Sequence, residues 1–67
     1  MKPLSPQETY RVGLLVQAID DAGPEGLTFA ELGARTQFGA VELRRGLGLA
    51  VERGYVRRDG ERYFATG

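Results

Sequence analysis

Gly39–Ala40–Val41–Glu42–Leu43–Arg44–Arg45–Gly46–Leu47, followed by Gly54–Tyr55–Val56–Arg57–Arg58–Asp59–Gly60–Glu61–Arg62–Tyr63, is the stretch that decides the fold of this chain. Leu43, Leu47, Ala50 and Gly54 are spaced four, three and four residues apart and so lie along one helical stripe. Gly54 stops that helix. Asp59–Gly60 then supplies the kind of residue pair that a two-residue hairpin turn prefers. The spacing predicts a helix over about Ala40–Arg53 and a tight hairpin with arginines on both arms.

Two further helices precede it. Thr28–Phe29–Ala30–Glu31 reads as a capping box, and Leu27 before the cap and Leu32 after it have the spacing of a hydrophobic staple. That helix is short and ends at about Arg35 or Thr36. Gln37–Phe38–Gly39 forms the turn into the third helix, with Phe38 as a core plug. Upstream, Ser5 caps a first helix over about residues 6–22, Pro6 suits its first position, and Glu8 completes a second capping box. Tyr10, Leu14, Leu15, Ala18, Ile19 and Ala22 give it one broad apolar stripe. Gly23–Pro24 ends it. Glu25–Gly26–Leu27 is expected to add a short strand segment beside the hairpin. The fold class is therefore α+β, mainly α: three helices and a C-terminal two-stranded hairpin, with residues 1–5 as a tail and 6–66 as one domain.

Composition excludes several functions. A chain of 67 residues buries only about 60% of its unfolded surface, so its stability is marginal without a partner. It has no Cys and no His, which removes disulfides, thiolate metal sites and the commonest general base. No pair of carboxylates, arginines or tyrosines stands at a spacing that suggests catalysis, so no enzyme, metal or cofactor is expected. The longest apolar run, Val12–Gly13–Leu14–Leu15–Val16, is far short of the roughly 20 residues that cross a bilayer. The N-terminal residues lack the apolar core of a signal peptide, and a cytoplasmic location is expected. Eight of the nine basic residues are Arg, a bias that points to a GC-rich bacterial genome. Net charge is zero, but residues 1–34 carry two basic against five acidic side chains and residues 35–67 carry seven against four. The basic half holds the third helix and the hairpin, an asymmetry that can orient the molecule on a polyanion.

The mid-helix glycines Gly13, Gly33, Gly46 and Gly48 each cost about 1 kcal/mol relative to Ala. Either they let helices approach closely in a small core, or Gly48, facing outward, admits a partner's backbone. With Asp59–Gly60 as the turn, Arg58 faces Glu61, Arg57 faces Arg62, Val56 faces Tyr63 and Tyr55 faces Phe64. Val56, Tyr63 and Ala65 then share the core face. The opposed Arg57 and Arg62 repel unless an anion lies between them or Tyr55 or Phe64 takes up the charge by cation–π contact.

On Leu27–Thr28–Phe29–Ala30–Glu31–Leu32, Leu43–Arg44–Arg45–Gly46–Leu47 and Glu52 through Tyr63, the chain resembles a winged helix-turn-helix domain over roughly residues 8–66. Small bacterial MarR-like regulators and the C-terminal domain of DNA-processing protein A share the pattern. The resemblance implies a DNA-binding transcription regulator or DNA-processing accessory, with the third helix in the major groove and the hairpin as a wing on the backbone. It implies that Ala40, Val41, Arg44 and Arg45 lie at the groove, that Arg35 and Gln37 approach phosphates, and that Arg57, Arg58 and Arg62 form the wing contact. Arg suits both roles because its planar fork grips a guanine edge or a phosphate in bidentate fashion. The partner implied is double-stranded DNA, bound weakly by a lone monomer.

The residues also support a different class. With Leu43 and Leu47 inward, the outward face of the third helix is Val41, Glu42, Arg45, Gly48, Leu49 and Glu52, only one of them basic and two acidic. Val41, Gly48 and Leu49 on that face would instead seat a protein partner or a second copy of this chain. Charge segregation favours DNA; the composition of this face favours protein.

Overall fold

A computed structural model describes residues 3–66; Met1 and Lys2, part of the expected tail, lie outside the described residues. Three helices, α1 (Pro6–Asp21), α2 (Phe29–Thr36) and α3 (Ala40–Glu52), precede a hairpin of β2 (Val56–Asp59) and β3 (Arg62–Ala65). A two-residue strand, β1 (Leu27–Thr28), sits between a 3-10 turn (Gly23–Glu25) and α2. It pairs antiparallel with β3, so the sheet order is β1-β3-β2. This α+β, mainly helical arrangement has a winged-helix-like layout. None of the helices is long and apolar enough to cross a membrane.

Local chemistry sets the helix starts. Ser5 accepts from the Glu8 amide and the Glu8 carboxylate accepts from the Ser5 amide. Thr28 and Glu31 repeat this at α2. Gly39 has no side chain, so α3 has only half such a box, the Gly39 amide donating to Glu42 Oε1 at 3.2 Å. Between α2 and α3, Gln37 turns the chain in the left-handed region at φ 61°, its amide bonded to the Gly33 carbonyl at 2.8 Å. Thr36 Oγ1 donates to the Leu32 carbonyl and accepts from the Phe38 amide, which closes the turn.

The core is Val12, Leu15 and Ile19 from α1, Leu27 from β1, Leu32 from α2, Leu43, Leu47 and Ala50 from α3, and Val56 from β2. Phe38, Tyr63 and Ala65 pack against it half-buried. On α1 the buried stripe runs through Val12 rather than Tyr10, which is 69% exposed. On α3 the stripe includes Gly46, where a Cβ would stand 2.6 Å from Leu15 Cδ1. Close approach of α1 at this glycine rotates α3, so that Leu49 is half-buried against the core rather than outward. Gly33 also meets a neighbour closely, with Leu43 Cδ1 3.1 Å from where a Cβ would stand, whereas Gly13 and Gly48 face open space.

The hairpin register differs from the sequence expectation. Val56 faces Ala65, Arg57 faces Phe64, Arg58 faces Tyr63 and Asp59 faces Arg62. The loop is thus Gly60–Glu61, with positive φ only at its first residue, Gly60; a turn with glycine in that place suits the twist of a hairpin. The pairing shifts by two residues, so the two faces keep their members, and Val56, Tyr63 and Ala65 share the inward side. The like-charge opposition of Arg57 and Arg62 is gone. Arg57 instead lies over the Phe64 ring, 4.6 Å from its centre.

Gly26 lets β1 reach the sheet. At φ 66° and ψ −167° its backbone is open essentially to glycine alone. A Cβ there would also strike the Tyr63 carbonyl and the Phe64 ring. Gly26→Ala is therefore expected to lower the thermal midpoint sharply. Gly48→Ala, in a helix with nothing within 4 Å of the new methyl, is expected to raise it by several degrees, because Ala favours a helix interior by about 1 kcal/mol. Thermal unfolding followed by circular dichroism separates the two.

Candidate nucleic-acid interface

Rotation of α3 about the Gly46 contact redraws its outward face. Ala40, Val41, Arg44, Arg45, Gly48, Val51 and Glu52 are exposed, while Leu49 turns in. Val41 is 73% and Val51 40% exposed. Glu42 remains exposed but is engaged on its flank, since its carboxylate caps the Gly39 amide and meets the Arg11 guanidinium at 3.5 Å. Among the described residues, Arg44 and Arg45 have no hydrogen bond or ion pair. The helix thus presents two exposed cations flanked by small and apolar residues, Arg45 lying near enough to Glu8 to act on its charge.

An open groove of about 920 Å³ runs between α3, the start of α2 and the hairpin. Phe29, Leu47 and Tyr63 line it with apolar surface, and Arg44, Arg58, Glu52 and Glu61 supply its charges. Arg58 is held by its own turn: Nε donates to the Gly60 carbonyl at 3.0 Å, and the guanidinium lies 5.9 Å from the centre of the Tyr63 ring. Its charge stays exposed beside α3. Arg57 lies on the opposite face of the hairpin. Arg35, in the last turn of α2, and Gln37, at the bend, are both exposed.

Arg62 departs from the wing role that the resemblance implies. Its NH1 donates to the Glu25 carbonyl at 3.2 Å and stands 3.8 Å from Glu31 Oε1. The side chain clasps β3 to the 3-10 turn and to the start of α2. Of the expected nucleic-acid contacts, Arg44 and Arg58 line the same groove, Arg45 is exposed on the flank of α3 nearer Glu8, and Arg62 is tied to Glu25 and Glu31 while its side chain stays about half exposed. Sequence reasoning missed the Arg11–Glu42 pair and the exposure of Val51. The first joins residues 31 apart, which no local pattern reveals; a stripe drawn through Gly46 would have revealed the second.

The cap carboxylates are acidified. The Thr28 amide, which donates to Glu31 Oε1, and then the Thr28 side chain hold the Glu31 carboxyl below its ordinary value of 4.5, with smaller help from Arg62 and Arg35. Ser5 does the same for Glu8, aided by Arg45 and Arg11. A lowered folded-state pKa means stability that is present above 4.5 and lost as pH falls through the folded value. Denaturant melts between about pH 5 and about pH 3 are expected to show this decline. Glu31→Gln, which can still cap but does not ionise, is expected to flatten it.

No protein-family model and no curated protein matches this chain, which leaves the side chains themselves as the ground for a function.

Proposed function

We propose that this chain is a small DNA-binding winged-helix protein in which α3 enters the major groove and the β2–β3 hairpin flanks it on the backbone. The observation that supports this reading is Arg44, which among the described residues has no hydrogen bond or ion pair and lines a groove with Arg58, with Arg45 exposed on the adjacent flank of α3. An arginine without an internal partner keeps its full capacity for a bidentate grip on a phosphate or a guanine edge. The engagement of Glu42 by Arg11 and by the Gly39 amide reduces the repulsion that this carboxylate would otherwise exert on phosphates. Arg45 and Arg44 read the groove, while Arg58, Arg57 and Arg35 neutralise backbone charge. Regulation of transcription or an accessory role in DNA processing is the corresponding activity.

Contacts this few make binding weak and strongly salt-dependent. Neutralising about three phosphates gives a slope of about −2.7 in log K against log salt. Fluorescence anisotropy of a labelled mixed-sequence duplex, titrated at a series of salt concentrations, tests this. Arg45→Ala is expected to weaken binding about tenfold and Arg58→Ala to reduce the slope by about 1. Arg62→Ala is expected to leave the slope unchanged at temperatures where the variant is folded. A folded protein that shows no saturable binding at low salt would remove this assignment.

A further inference from the structure

The outward face of α3 has a second property, independent of any nucleic acid. Its charges are reversed about Gly48. Arg44 lies four residues before that glycine and Glu52 four after it, while Arg45 and Val51 lie three before and three after. All five positions are exposed. Gly48 faces open space, with nothing within 4 Å of where a side chain would begin. Arg44 and Glu52 are about 12 Å apart along the helix axis, too far to pair within one molecule.

We propose that two copies of this chain associate through α3, the helices antiparallel and crossing at Gly48. A two-fold axis between the two Gly48 residues sets Arg44 of each copy level with Glu52 of the other, about 6 Å from the crossing point on either side. It also lays the aliphatic stem of Arg45 over Val51 of the second copy, a contact that long cationic side chains make while keeping the charge in water. The glycine lets the two backbones approach, and Val41 extends the apolar contact at the end of the face. A parallel pairing would set Arg44 against Arg44 and is disfavoured by like charge. A single pair of 13-residue helices buries well under the roughly 800 Å² per partner of a standard interface. The dimer is accordingly weak, with a dissociation constant on the order of 100 µM or above. Because the same face carries Arg44 and Arg45, the dimer masks the surface assigned above to DNA, and the two states exclude one another.

Sedimentation equilibrium without DNA tests this directly. The parent protein is expected to show a reversible monomer–dimer equilibrium. Arg44→Glu and Glu52→Arg each place like charges across the axis and are expected to weaken self-association at least tenfold. Mixed in equal amounts, the two variants regain opposite charges at every crossing and are expected to associate within about threefold of the parent. Gly48→Ala is expected to weaken the dimer while raising the thermal midpoint of the monomer. Both charge positions are exposed and unbonded, so circular dichroism melts matching the parent certify the fold. A parent that stays monomeric up to millimolar concentration, single variants that associate like the parent, or a mixture no tighter than either variant alone would each overturn the proposal. None of these readings depends on whether the protein binds DNA.

Discussion

The contact on which the rest of the molecule depends is the close approach of α1 to α3 at Gly46. A methyl group there would collide with Leu15, whose side chain is fully buried. A domain this small has few residues with which to exclude water, and it brings two helices together where one of them has no side chain. That approach costs α3 some helix propensity and in return seats Leu15 among Leu43, Leu47 and Ala50. It also sets the rotation of α3. Residues on the α1 side, Glu42 and Leu49, are engaged or half-buried, and the opposite side, Arg44, Gly48 and Val51, becomes the exposed wall of the groove.

A second constraint holds the hairpin. β3 lies between β1 and β2, so its position fixes both edges of the sheet. Gly26 admits β1 to the sheet in a backbone state that other residues do not tolerate. Arg62 then ties the middle strand to Glu25 and Glu31. The register sets Arg57 opposite the Phe64 ring, which it stacks on, and Asp59 opposite Arg62, so no like charges face each other across the hairpin. Three hairpin arginines therefore have three different occupations: one stacked, one clasping, and one, Arg58, left beside the groove. Counting basic residues on the hairpin overstates what it can offer to a polyanion.

The surface of α3, on which both proposals rest, is neither uniformly basic nor uniformly apolar. The DNA proposal draws on its arginines, and the self-association proposal on a central glycine with Arg44 and Glu52 at equal distances on either side. Both proposed interactions are expected to be weak for the same reason: each uses one helix face of a neutral protein.

Much of the fold was legible in the sequence because its signals are local. The two Ser/Thr-x-x-Glu boxes, the Gly and Pro stops and the hairpin turn act within four or five residues, and each helix begins and ends within a residue or two of where they place it. The strand beside the hairpin was also readable, although it forms at Leu27–Thr28, after the glycine rather than through it. The sequence by itself further determined that the C-terminal half is the basic half. What only the tertiary structure decided were matters of a few ångströms between distant segments. They are the rotation of α3, the two-residue shift in hairpin register, the engagement of Glu42 and Arg62, and the inward turn of Leu49. Helical periodicity defines an apolar stripe only to within its breadth, and a buried glycine adds nothing to that stripe. Packing against α1 chose which flank was covered, and that choice set which arginines face solvent.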